Sequence, residues 1–147
     1  MKRVSRSAIV EHSAESLYAL IEDIESYPTF LPWCRAASVQ SRIENRTVAT
    51  LSVGLRGIKQ SFTTENRNTP GRAIQMRLVK GPFKHFAANW RLTPLGPNAV
   101  RVEFAMVYEF SSRVLAKLLE PVFSQIADTM VDAFVRRADA LYAKPGD

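Results

Sequence analysis

The residues best suited to chemistry are sparse: two histidines, His12 and His85, and a single cysteine, Cys34. Neither histidine has a cysteine or carboxylate at the spacing that a zinc site requires, so the sequence offers no metal centre. Cys34 and His85 have the types of a nucleophile and its base, but such a pair needs a third group to orient the base, and nothing in the sequence supplies one. Alternation places Glu65, Glu103 and Glu109 on the polar side of their segments, away from an interior where an acid or base would act. "KGPF" (80–83) reads as a turn without the glycine repeat that cradles phosphate. What remains is apolar. "SYPTFLPWC" (26–34) packs two prolines and three large aromatics into one short stretch. It is either a buried corner of the core or the lip of a site for an oily molecule.

The elements that must position these residues follow from periodicity. Ser13 is a plausible N-cap, Glu15 sits in the first turn, and Leu17, Leu20, Ile21 and Ile24 recur at helical spacing. This helix is expected to stop before Tyr27, because Pro28 disfavours helical geometry in the residue ahead of it. From Ala36 to Phe110 the period becomes two, with turns at Arg56-Gly57, "NTPGR", "KGPF" and "PLGPN". Together with "RVSRSAIVE" at the start, this predicts seven antiparallel strands joined by short turns. Helical spacing returns from Ser112 to the end, along Leu115, Leu118, Leu119, Val122, Phe123, Ile126, Met130, Val131, Phe134, Val135, Ala138, Leu141 and Tyr142. Pro121 is expected to kink or divide that helix. A bent sheet with one apolar face must cover it, and only the terminal helix is long enough.

The chain of 147 residues fits one domain, 1–147. No stretch approaches the ~20 apolar residues of a membrane span, and the apolar run from Ala8 to Val10 is too short for a secretion signal. One cysteine leaves no internal disulfide, and a reducing, cytoplasmic setting is expected. The net charge of +6 favours polyanions such as RNA or acidic headgroups.

In the order in which they occur, "DIESYPTFLPWC" (23–34), "GIKQSFTTEN" (57–66), "LVKGPFKHF" (78–86) with Trp90 following, "VRVEFAMVYEF" (100–110) and "MVDAFVRRADALY" (130–142) resemble the coenzyme-Q-binding and ribosome-association-toxin family. That family belongs to the wider START-like helix-grip superfamily of lipid-transfer and polyketide-cyclase domains. The resemblance covers nearly the whole chain and is nearest to the bacterial toxin branch. It implies an α+β helix-grip fold: a curved seven-stranded antiparallel sheet around a long C-terminal helix, with a short helical segment after strand 1. It also implies a non-catalytic binder of ubiquinone or a similar isoprenoid lipid that supports respiration and needs no cofactor. The alternative is association with the large ribosomal subunit that blocks subunit joining. A polyketide-cyclase-like enzyme stands third, resting on fold analogy alone.

If the sheet curves without closing on the helix, a cavity remains, lined by Phe62, Met76, Trp90, Phe104, Tyr108, Met130 and Phe134. A dry void of ~300 Å³ would cost on the order of 7 kcal/mol, so it must be small, wet or filled. The same side chains could instead meet and close the core. Tyr27, Phe30, Leu31 and Trp33, held between Pro28 and Pro32, would form a lid or a plug at one end. Gln60 and Thr64 share the apolar face with Phe62, and Gln60 is the expected polar contact for a ligand carbonyl. Arg56, Lys59, Arg72, Arg77, Lys80, Lys84 and Arg91 fall on outward faces or turns. They form the expected docking surface for ribosomal RNA or, at the inner membrane, acidic lipid, with no DNA partner.

Overall fold

The computed structural model describes residues 1–142. Strand β1 (Lys2–Val10) leads into helix α1 (Ala14–Glu22), a 3₁₀ turn (Ile24–Ser26) and a single helical turn α2 (Tyr27–Phe30). Six strands follow: β2 (Cys34–Ile43), β3 (Arg46–Leu55), β4 (Ile58–Thr69), β5 (Ala73–Lys80), β6 (Phe83–Gly96) and β7 (Ala99–Phe110). Helix α3 (Arg113–Leu141) ends the fold. The seven strands form one antiparallel sheet in the order β1-β7-β6-β5-β4-β3-β2, so the consecutive hairpins run from one edge to the other and β1 returns beside β7. This is the helix-grip fold that the resemblance implies, with the seven strands and the terminal helix expected from the pattern.

The sheet's inner face carries Trp90, Leu92, Val100, Val102, Phe104, Met106 and Tyr108, all at most 3 % exposed, against Leu119, Val122, Phe123, Ile126, Met130 and Phe134 of α3. Ser13 caps α1 by accepting from the Ser16 amide at 3.1 Å, and Ser112 caps α3 by accepting from Leu115 at 3.1 Å. The far end of α3 is tied to the start of α1 by buried His12, whose Nε2 lies 2.7 Å from Asp139.

Three expectations need correction. Helix α1 ends at Glu22, before Tyr27 as expected, but the reason does not hold, since Tyr27–Phe30 is itself helical with Pro28 in its first turn, where the missing N–H costs no hydrogen bond. Pro121 does not divide α3, which runs as one helix through it. Its position on the exposed side lets water serve the carbonyl that loses its partner. Leu118 and Leu141, assigned to the buried stripe, are 47 % and 51 % exposed, because they lie off the face that meets the sheet.

Candidate functional site

The interior aromatics form two groups. At one end Trp90 meets Phe104 with ring centroids 4.8 Å apart and Phe134 at 5.2 Å; Phe134 also meets Tyr27 and Phe30 at 5.3 and 5.1 Å. At the other end Phe83 sits among Phe62, Phe86, Tyr108, Phe110 and Phe123 at 5.0 to 6.2 Å. Of the seven residues expected to line a cavity, Phe62, Trp90, Phe104, Tyr108, Met130 and Phe134 are buried and Met76 is half-buried. Within each group the rings meet across the space between sheet and helix: Phe62 meets Phe123 at 5.8 Å, and Trp90 meets Phe134 at 5.2 Å.

The GPF turn is explained by this packing. A Cβ on Gly81 would stand 2.7 Å from the Phe62 Cβ, so only glycine lets the β5–β6 turn lie against β4. Phe83 can then enter the second aromatic group.

The 26–34 segment closes the first group from below. Tyr27, Leu31 and Trp33 are at most 5 % exposed, whereas Phe30 is only partly covered. The Tyr27 hydroxyl donates to the Ile21 carbonyl, and burial raises its phenol well above the usual range, so it stays a neutral donor. Burial likewise pushes the Cys34 thiol up to about 11, outweighing the lowering effect of the Ala36 backbone, so the sulfur is protonated at neutral pH and can donate to the Ala36 carbonyl at 3.5 Å. Cys34 faces the interior on β2 while exposed His85 lies on β6, four strands away or roughly 19 Å at ordinary strand spacing. They do not form a dyad.

Polar groups inside differ from the expectation. The Gln60 side chain sits near the end of the β3–β4 hairpin and donates to the Ser61 carbonyl at 3.3 Å. Deeper, Thr64 donates to Asn66 at 2.8 Å, and buried Thr47 faces Asn66 across the strands with its hydroxyl unpartnered. The period-two pattern puts Thr47 and Asn66 inward with Thr64, a signal available in the sequence but passed over.

Two surface grooves of about 510 Å³ each flank this core. One lies at the mouth, between Phe30, Pro32, Trp33 and Leu55 and the α3 residues Gln125, Thr129, Ala133, Arg136, Arg137 and Ala140. Two lining residues also carry buried donors without a hydrogen-bond partner among the described residues, Trp33 Nε1 and Arg137 Nε, each an uncompensated donor of about 1 to 3 kcal/mol. The other crosses the outer face of the sheet, where Ala87, Asn89, Ala105 and Val107 lie beside Glu65, Arg67, Gln75 and Arg77. Glu65, 13 % exposed, is ringed by Arg77 at 2.8 Å, Arg46 at 3.1 Å and Arg67 at 3.9 Å, leaving two positive charges in excess.

All of the expected docking cations are exposed, but Arg77 is engaged by Glu65 and Lys84 lies 3.8 Å from Glu109. Arg56, Lys59, Arg72, Lys80 and Arg91 make no ion pair among the described residues. Arg46 and Arg67 join the outer cluster and were missed, since the expectation did not see three cations converging on one carboxylate.

Residues 10–135 match the family described as polyketide cyclase / dehydrase and lipid transport. The chain belongs to that family. It is 42% identical over 144 residues to the ribosome association toxin RatA of Vibrio cholerae, covering 98% of this chain and 100% of that one. It is 27% identical to the mitochondrial coenzyme Q-binding protein COQ10 homolog B of Xenopus laevis, covering 95% of this chain and 59% of that protein. The Zhui aromatase/cyclase from a Streptomyces species superposes with a TM-score of 0.82 at 17% identity, over 99% of both chains, which shows a shared fold and no more. No described helix is long and apolar enough to cross a membrane.

Proposed function

We propose that this protein acts without catalysis, in the cytoplasm, by docking its basic outer sheet face on the RNA of the large ribosomal subunit. The observation that carries this reading is the arginine-ringed groove across β4 to β7, in a chain aligned end to end with a ribosome association toxin. Small residues, Ala87 and Ala105, lie in the groove beside projecting guanidinium groups, a relief that suits a phosphate ridge rather than a base edge. Blocking of subunit joining follows if the docked domain covers the subunit interface.

The test is sedimentation with purified subunits across salt. Binding to the large subunit is expected to weaken steeply, with a slope in log–log form of about 0.7 to 0.9 per phosphate contacted. Arg67→Glu with Arg91→Glu should lower the affinity at least ten-fold while the variant keeps a cooperative melting transition, lowered only by the like charges set beside Glu65 and Glu103. Absence of co-sedimentation at low salt would overturn the reading.

A second reading, ubiquinone or a related isoprenoid lipid in the interior, is favoured by the likeness to the coenzyme Q-binding protein and by the unpartnered Thr47 hydroxyl, a donor for a quinone carbonyl. In it Tyr27, Phe30, Leu31, Trp33, Gln60, Phe62, Met76, Trp90, Phe104, Tyr108, Met130 and Phe134 would line the path, and the rings that now touch would have to part. Lipid extraction from purified protein tests it: recovery of quinone, or a higher melting temperature on adding ubiquinone, supports the interior site, and the failure of both overturns it. The basic face would then serve contact with an acidic membrane.

A further inference from the structure

The outer face of the sheet carries more than a positive charge. Register sets its side chains in rows across the strands, and one row runs Arg46, Arg67, Gln75, Asn89, Ala105, Ser5, from β3 to β1. At ordinary strand spacing that row is about 24 Å long. The neighbouring row carries Arg77, Ala87, Val107 and Arg3, so small residues on β6 and β7 lie between guanidinium groups on β4 and β5 and another on β1. In the low middle Gln75 and Asn89 stand directly opposite each other, and neither amide side chain has a hydrogen-bond partner among the described residues. Rings are missing from this face: every phenylalanine, tyrosine and tryptophan of β1 to β7 belongs to the two inner aromatic groups. Helix α3 touches β1 at one edge of the sheet and β3 near the other, so the sheet wraps toward it and the outer face is convex.

These features distinguish one form of RNA from another. Single strands are held largely by stacking their bases on aromatic side chains, and this face offers none. An A-form duplex has a deep, narrow major groove that side chains cannot read and a wide, shallow minor groove that displays ribose 2′-hydroxyls. A convex face with a low, amide-bearing middle and cationic flanks fits the second. We propose that the outer face binds double-stranded RNA across its minor groove. Gln75 and Asn89 pair with 2′-hydroxyls, since an amide and a hydroxyl each supply both a donor and an acceptor, and Arg67, Arg77 and Arg3 take the phosphates on either side. A DNA duplex keeps the phosphates and lacks the hydroxyls, so it satisfies the flanks and leaves the amides unmatched. The inference rests on the reading that this face docks on ribosomal RNA and names the form of RNA that it takes.

The experiment measures fluorescence anisotropy of the full chain with a labelled RNA duplex of about 16 base pairs, the DNA duplex of the same sequence and one RNA strand alone, all at one low salt concentration. The RNA duplex is expected to bind about ten-fold tighter than the single strand, which finds no ring to stack on, and about ten-fold tighter than the DNA duplex, which forgoes two hydrogen bonds. Gln75→Ala with Asn89→Ala should bring the RNA duplex down to the affinity of the DNA duplex while leaving DNA binding and the salt slope unchanged. Arg67→Glu should weaken both duplexes alike and flatten the slope. Both positions are on the surface of strands, and a retained cooperative melting transition certifies each variant as folded. A single strand or a DNA duplex that binds as tightly as the RNA duplex, or an amide double variant that keeps the preference, overturns the proposal. The same protein is sedimented with the large ribosomal subunit: co-sedimentation without a preference for the RNA duplex, or without any duplex binding, sinks this inference and leaves the docking reading standing, whereas loss of both sinks the two together.

Discussion

Phe134→Ala measures whether the space between sheet and helix is packed or merely enclosed. Phe134 is fully buried and makes edge-to-face contacts with Tyr27, Phe30 and Trp90 at 5.1 to 5.3 Å. Removing a packed phenyl ring costs about 3 to 5 kcal/mol through lost transfer energy and the void that remains. Each aromatic pair adds roughly 0.5 to 1.5 kcal/mol beyond area, and three are lost together, which places this variant near the upper end, at about 4 to 5 kcal/mol. With a urea slope of about 2 kcal/mol per molar, the midpoint of equilibrium unfolding should fall by about 2 M. Phe134→Leu keeps most of the volume and should lose roughly 1 to 1.5 kcal/mol, which keeps the comparison readable if the alanine variant is barely folded. A loss below about 1 kcal/mol for Phe134→Ala would refute the packed interior, since it would mean that Phe134 already borders free space. Such a result would restore the interior ligand site to first place.

Other perturbations probe other joints of the fold. Gly81→Ala places a methyl 2.7 Å from the Phe62 Cβ and should cost about 1 to 3 kcal/mol, visible as a lower melting temperature. His12→Ala removes the 2.7 Å contact with Asp139 and should raise amide exchange at the end of α3 and the start of α1 before it affects β5 or β6. The unfolded chain ionises Cys34 near 9 whereas the folded one holds the proton to about 11, so this contribution to stability is complete below pH 9 and is lost as pH rises through 11. Urea midpoints of Cys34→Ala should accordingly decline less than wild type over that window. Tyr27 and Tyr108, whose phenols are both raised by burial, should show tyrosinate absorbance above pH 10 only as the protein unfolds.

Periodicity alone was enough to find the strands, and most clearly where one face is buried: from Val100 to Phe110 every second residue is buried, without interruption. Residue spacing also identified Ser13 and Ser112 as helix boundaries. Three features needed coordinates. The helical turn at Tyr27–Phe30 depends on tertiary anchorage, through the Tyr27 hydroxyl on Ile21 and the ring on Phe134. The meeting of rings within each aromatic group depends on side-chain volumes and sheet curvature, which alternation does not encode. The mouth groove joins residues about a hundred positions apart, Trp33 and Arg137, and no local pattern brings an arginine of α3 to an indole beside β2.

The segment "SYPTFLPWC" settles neither as pure lid nor as pure plug, and the division within it is physical. Tyr27, Leu31 and Trp33 are turned inward and locked by a buried hydrogen bond and ring contacts, so moving them as a flap would break packing worth several kcal/mol. Phe30 alone is half outside, and there it carries Arg137 on its face. A rigid inner layer with one exposed ring makes a wall of fixed shape rather than a gate. Any molecule received at this end is therefore met by a surface already formed, which lowers the ordering cost of binding and confines recognition to what the wall displays: the outer part of the Phe30 ring and the two cations Arg136 and Arg137.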